Sequence, residues 1–161
     1  MDSLQLDRIL KSCPITRKHY RGVHPYDHVD FCIKKNISSK LRFFIFNTEE
    51  TGSPGMHWVS LTIQGRKAIF FDSLNLNPNI VFRRLLEILQ NLNFTTILTN
   101  PFRIQQYSSD VCGHHTIYFA LLKCLKTPRK KIFSLHYKKG QCKTNDAYVK
   151  KIVERIFPSH F

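Results

Sequence analysis

The sequence holds five cysteines, at positions 13, 32, 112, 124 and 142, and no CxxC pair. An odd count without paired spacing argues against a disulfide scaffold and a conventional zinc module, and for free thiols in a reducing compartment. A thiol becomes a strong nucleophile when a helix N-terminus and a nearby imidazolium favour its thiolate. Cys112 is placed for this. The segment HHTIYFALLKCL after it has helical spacing, Gly113 allows close approach, and Ser108, Ser109 and Asp110 form a polar lead-in. Cys124 lies in the body of that apolar helix and reads as core. Cys13 and Cys32 have no base at hand, and Cys142 sits in a Lys-rich loop where exposure makes it oxidisable rather than catalytic.

Nucleophilic catalysis by a thiol also needs a base, a group that orients the base, and donors for the developing oxyanion. His57, beside Trp58 at the start of an apolar alternating run, is the candidate base, and Asp72 the candidate orienter. Gln105 or Gln106, seven or six residues before Cys112, can supply an amide N–H next to the Cys112 backbone N–H. Each part alone is an ordinary structural feature; the joint order of His-Trp, Phe-Phe-Asp, Gln and Asp-x-Cys-Gly is specific. His114 and His115 follow the nucleophile directly. They point about 100° apart on a helix, so at most one faces the site, and both read as helix-start histidines satisfied by solvent or backbone. No further ligands at metal-site spacing accompany them, so no metal is expected.

These residues require particular elements around them. HWVSLTI, then QGR, then KAIFFDS reads as a β-hairpin turning at Gly65, which sets the start of one arm beside the end of the other and makes His57 and Asp72 neighbours. LRFFIF (41–46) reads as a buried strand ending in the turn-rich NTEETGSPG, and TTIL (95–98) as a further strand. Helices are expected near 3–12 behind a Ser3 cap, from Pro78 to Leu92, from Cys112 to a stop at Pro128, and at the C-terminus behind a Thr144 or Asn145 cap. That last helix would turn Tyr148, Val149, Ile152, Val153 and Ile156 inward. The stretch from Tyr20 to Asp30, with Gly22 and Pro25, reads as connecting loop.

The chain has 161 residues, suited to a single domain spanning 1–161, and 42% of them are apolar, which excludes wholesale disorder. It shows no apolar run of membrane-span length and no signal-peptide pattern, so a soluble, non-secreted protein is expected. The formal net charge is +14, and residues 123–161 carry eleven Lys and Arg against Asp146 and Glu154 alone. Such a surplus suits either a solvated face or an anionic partner, most simply nucleic acid.

The constellation resembles the adenovirus-type cysteine proteases, the adenain family, and the wider clan that includes SUMO-specific deconjugating proteases. It is more similar still to the adenain-like proteases of Polinton (Maverick) elements and adintoviruses. The resemblance rests on YRGVHPYD, FFIFNTEETGSPGMHWVSL, FFDSLNLNP and IQQYSSDVCGHHTIYF in that order, and it covers the chain from about Tyr20 to the final helix. It implies an α+β fold, adenain-like and papain-like, with a central mixed sheet flanked by helices. It implies Cys112 as nucleophile, His57 as base, Asp72 as orienter where adenoviral enzymes tend to have Glu, and Gln105 as oxyanion donor. The adenoviral spacing selects Gln105, whereas the SUMO-protease spacing would select Gln106.

The implied activity is cysteine endopeptidase cleavage of viral precursor proteins during virion maturation, at Gly-containing sites, in the virion and host nucleus. DNA is implied as an activator that meets the basic surface of a monomer, with no membrane partner. This sequence has no cysteine between His57 and Cys112, so a peptide activator carries over only in noncovalent form. Two other readings stay open: a ubiquitin-like or SUMO-type deconjugating protease using the same site, and a basic nucleic-acid-binding protein without catalysis.

Overall fold

The run Phe43-Phe44-Ile45-Phe46 is buried at every position, as expected for a strand covered on both faces. In the computed structural model, which describes residues 1–49 and 57–161, this run forms β2 (Arg42–Asn47), next to the middle of a five-stranded sheet. The order is β1 (Tyr20–His24), β2, β3 (Trp58–Gln64), β4 (Lys67–Phe71) and β5 (Thr96–Leu98). β2, β3 and β4 are antiparallel, while β1 and β5 join the edges in parallel. The sheet is therefore mixed and the fold α+β, as expected. The hairpin turns through Gly65 and Arg66 between the paired Gln64 and Lys67, and Gly65 takes the positive φ of +58° that suits a two-residue loop.

Alternation along β2 sorts the core into two layers. Phe43 and Ile45 face a cluster built with α1 (Ser3–Ser12), α5 (Cys112–Cys124) and α7 (Cys142–Ile156). Phe44 and Phe46 face a second cluster with α2 (Val29–Lys34) and α4 (Arg83–Asn91). A short α3 (Pro78–Val81) precedes α4, and a one-turn α6 (Arg129–Lys131) runs into a wider turn over Ile132–His136. α5 is buried from Cys112 through Leu122, because the sheet lies on one side and α1 and α7 on the other.

Several expectations need correction. The stretch 20–30 is not a loop: Tyr20–His24 pairs in parallel with β2, and Tyr26–His28 and Val29–Lys34 are helical. Gly22, at φ +106°, shifts the register between Tyr20 and Val23 and so hides the alternation. The 78–92 helix breaks at Phe82, whose ring leaves the helical path to pack 4.4 Å from Phe70. α1 is capped by Asp2, which accepts the Gln5 N–H at 2.7 Å, rather than by Ser3. Tyr148 and Ile156, expected inward on the last helix, face outward. Most of the turn expected between Asn47 and His57 lies outside the described residues. Among the described residues, no helix is long and apolar enough to cross a membrane.

Candidate active site

The hairpin register places His57 one residue before β3 and Asp72 one residue after β4, at the same end of the sheet. Their side chains meet: His57 Nε2 lies 2.6 Å from Asp72 Oδ1. Asp72 is 1% exposed, and its carboxylate is held by the loop that follows it. Oδ1 also accepts the Leu74 N–H and Oδ2 accepts the Leu76 N–H, each at 2.9 Å. Its own N–H donates to Asn100 Oδ1 at 3.0 Å, and Asn100 donates onward to the Phe102 carbonyl.

Cys112 is the first residue of α5, and its thiol sits where the His57 ring and the backbone N–H groups of Trp58 and Gly113 act on it. Since Nε2 of His57 is engaged by Asp72, Nδ1 is the nitrogen left for the sulfur. Burial pushes the Cys112 thiol up, but His57, the two N–H groups and the helix N-terminus favour the thiolate, and the net direction is down. Cys32 and Cys124 show burial without such partners: both are raised, Cys124 to about 12. Burial alone would lower His57, yet the hydrogen bond to Asp72 and the Cys112 thiolate outweigh it and raise the imidazole from 6.5 to about 9. Both shifts favour the thiolate–imidazolium form of the pair over the neutral one, the form that acyl transfer from a carbonyl substrate would use.

Gln105 and Gln106 have different environments. Gln105 is 1% exposed. Its N–H donates to the Ser73 carbonyl at 3.0 Å and its Oε1 accepts the Ser73 hydroxyl at 2.5 Å. Its Nε2 donates to the Ser109 carbonyl at 2.8 Å; a primary amide has two N–H donors, and this bond uses one of them. Gln106 is half-buried, and its backbone N–H donates to Asp146 Oδ2 at 3.1 Å. Gln105 is therefore the glutamine whose side chain is fixed in the loop between β5 and Cys112.

His114 and His115 are both buried, contrary to the solvent-satisfied reading. His114 stacks on Phe161 at 5.1 Å and lies 3.7 Å from Glu154; burial lowers it to about 4, so it is neutral. His115 Nε2 donates to Asp146 Oδ1 at 2.8 Å, and burial again keeps the ring neutral. The described residues contain no group of three or more His, Cys, Asp or Glu able to hold a metal. The N-terminal residue also borders the site. The Met1 carbonyl accepts the Trp58 indole N–H at 3.0 Å, and Met1 Sδ would lie 2.8 Å from a Cβ added at Gly113.

Ser73, Asn100, Asn145 and Asp146 carry much of this geometry and were not picked out from the sequence. Ser73 has a local signal, since it follows Asp72 directly at a strand exit. The last helix starts at Cys142, ahead of the expected Thr144 or Asn145 cap, so Asn145 lies inside α7, and both it and Asp146 are buried.

No protein-family model matches this sequence, and no curated protein matches it either. Similarity appears in three dimensions. The chain matches the crystal structure of ASFV pS273R protease with a TM-score of 0.64 at 15% identity, covering 94% of this chain and 65% of that one. It matches the SUMO protease Ulp1, solved with its catalytic cysteine oxidised to a sulfenic acid, with a TM-score of 0.57 at 14% identity, covering 100% and 79%. A deletion variant of AvrA solved with IP6 and CoA gives 0.57 at 13% identity, covering 92% and 68%. The chain thus spans about two thirds of the length of the ASFV protease. The fold is the one shared by Ulp1-like and adenain-like cysteine proteases.

Proposed function

We propose that this chain is a cysteine endopeptidase resembling adenain, acting on viral precursor proteins during particle maturation at Gly-containing sites. The observation that carries the reading is the Cys112–His57 pair backed by the buried Asp72 carboxylate. In this reading the Cys112 thiolate attacks the scissile carbonyl carbon, and the carbonyl oxygen becomes an oxyanion facing the Cys112 N–H and the free N–H of Gln105. The His57 imidazolium gives its proton to the departing amine as the C–N bond breaks, leaving a thioester. Neutral His57 then takes a proton from water, the hydroxide attacks the thioester, and the thiolate leaves with the acid product. Asp72 holds Nε2–H throughout, so that Nδ1 faces the reacting atoms.

DNA as activator is supported by the surplus of basic residues in 123–161; Lys143, Lys150, Lys151 and Arg155 are exposed on α7. Such contacts would weaken steeply with salt and need no base recognition. A peptide activator, if used, would bind noncovalently, and the working place of the enzyme would be the virion and the host nucleus. The match to Ulp1 over the whole chain favours one second reading, a deconjugating protease that recognises a folded modifier ahead of a Gly-Gly end.

The test is cleavage of a fluorogenic Gly-rich peptide by wild type and Cys112→Ala, with and without DNA, beside a ubiquitin-like fusion. Cleavage of the peptide that is lost in Cys112→Ala and rises with DNA is expected. Turnover of the fusion alone would favour the deconjugase. A Cys112 that is inert to thiol reagents at pH 7 would overturn both.

A further inference from the structure

The loop 103–111 leads from the sheet to Cys112 and carries Gln105, and it is gripped from two sides. The Ser73 grip comes from the end of β4. The second comes from α7, through two adjacent buried side chains that the catalytic reading does not use. Asn145 Nδ2 donates to the Ile104 carbonyl at 3.2 Å, and Asp146 Oδ2 accepts the Gln106 N–H at 3.1 Å. The residues on either side of Gln105 are thus tied to consecutive positions of one helix. Both clamps are anchored in turn. Asn145 also closes on Lys138, accepting its N–H at 2.8 Å and donating to its carbonyl at 3.0 Å. Asp146 Oδ1 is held at 2.8 Å by His115, which is 0% exposed and lies one turn after Cys112 on α5.

We propose that Asn145 and Asp146, with His115 behind Asp146, are positioning residues that lock Gln105 to the helix bearing Cys112. This rests on the protease reading above. An oxyanion donor works only if it is aimed before the charge develops, and misplacement by about an ångström costs orders of magnitude in rate. A loop fixed only by Ser73 would follow the sheet. Asp146 bonds the loop and α5 with one carboxylate, so the donor is set relative to the thiol rather than to the strand. A purely structural clamp would affect folding and the thiol together. A positioning clamp affects the step in which the oxyanion forms.

Two isosteric variants separate these possibilities. Asn145→Asp keeps an acceptor for Lys138 N–H but removes the donor to the Ile104 and Lys138 carbonyls. Asp146→Asn leaves one oxygen to serve both Gln106 N–H and His115. In the full-length protein each is expected to lower kcat on the Gly-rich peptide about tenfold, with KM and the rate of Cys112 alkylation by iodoacetamide within about twofold of wild type. Alkylation needs the thiolate but no oxyanion donor. In a Gln105→Ala background neither substitution should lower kcat further. Unchanged kcat, alkylation falling in parallel with kcat, or full additivity with Gln105→Ala would each overturn the inference while leaving the protease reading intact. Wild type that neither cleaves peptide nor alkylates selectively at Cys112 would overturn both.

Discussion

Replacing Asp72 by Asn removes one charge from a buried, nearly isosteric site, and the consequence can be worked out in advance. An amide oxygen at the Oδ1 position still accepts from His57 Nε2 and Leu74 N–H, while its NH2 group faces the Leu76 N–H that Oδ2 accepts in the wild type. Tautomer and ring direction survive, and one backbone hydrogen bond is lost, costing about 1–3 kcal/mol of stability. The charge effect is larger for the chemistry. Holding His57 at about 9 rather than 6.5 corresponds to roughly 3 kcal/mol favouring the imidazolium against burial. Without the Asp72 charge, burial acts against an imidazolium favoured only by Cys112, so His57 should fall to its ordinary value or below. Cys112 then loses its counter-charge near neutrality. The assay is the second-order rate of Cys112 alkylation by iodoacetamide from pH 5 to 10. Wild type should show a reactive shoulder below the ordinary thiol range, followed by a second step near 9 as His57 deprotonates. Asp72→Asn should show a single ionisation close to an ordinary thiol, with the rate at pH 7 reduced about ten- to a hundredfold. A shoulder that persists unchanged in Asp72→Asn would refute the account of how the thiolate is stabilised.

Other consequences follow from the same geometry. A raised His57 contributes stability that is fully present below about 6.5 and lost as pH rises through about 9. The His57 contribution to wild-type stability should therefore fall by up to roughly 3 kcal/mol between pH 7 and 10, opposed in part by the lowered Cys112 thiol, which gains stability as pH rises toward 9, and this fall should be absent in His57→Gln. Phe71 is fully buried, with its ring stacked 4.2 Å from Phe119 of α5, so Phe71→Ala should cost about 3–5 kcal/mol in urea unfolding. Asp2→Ala removes the cap of α1 and should cost about 1 kcal/mol, read as a small fall in Tm.

The residues whose chemistry depends on local context were the legible ones. Cys112 at a helix start and the His57 and Asp72 ends of one hairpin follow from periodicity and turn chemistry over short distances, and the structure brings them together. The buried strand at 42–47 was legible because a run of apolar residues four long has few other uses. What could not be read depends on long-range pairing. β1 hides behind the positive-φ Gly22, and its strand character comes from β2, with Tyr20 set 5.2 Å from Phe43. Asn145 reads as a cap and Asp146 as an ordinary charge until the fold buries them against a loop some forty residues earlier. That Ser73 fixes Gln105 and not Gln106 was likewise not legible, because sequence spacing places both within reach of the thiol.

The site has a structural dependence that no single candidate residue reveals. His57 and Asp72 belong to the sheet, Cys112 belongs to α5, and the His57–Cys112 contact is therefore set by how α5 seats on the sheet. That seating is apolar: Phe71 stacks on Phe119, and Trp58, Ile117 and Phe133 belong to the same cluster. Close-packed interiors transmit volume changes rather than absorb them. A mild substitution such as Ile117→Val, costing about 0.5–1.5 kcal/mol in stability, lets the helix settle by a fraction of an ångström toward the sheet. The thiolate is then displaced relative to an imidazole that Asp72 and the 74–76 backbone hold fixed. Core residues that touch no reacting group can therefore change turnover by a larger factor than their effect on folding suggests. The sheet and α5 meet at the thiol, and their packing is part of its chemistry.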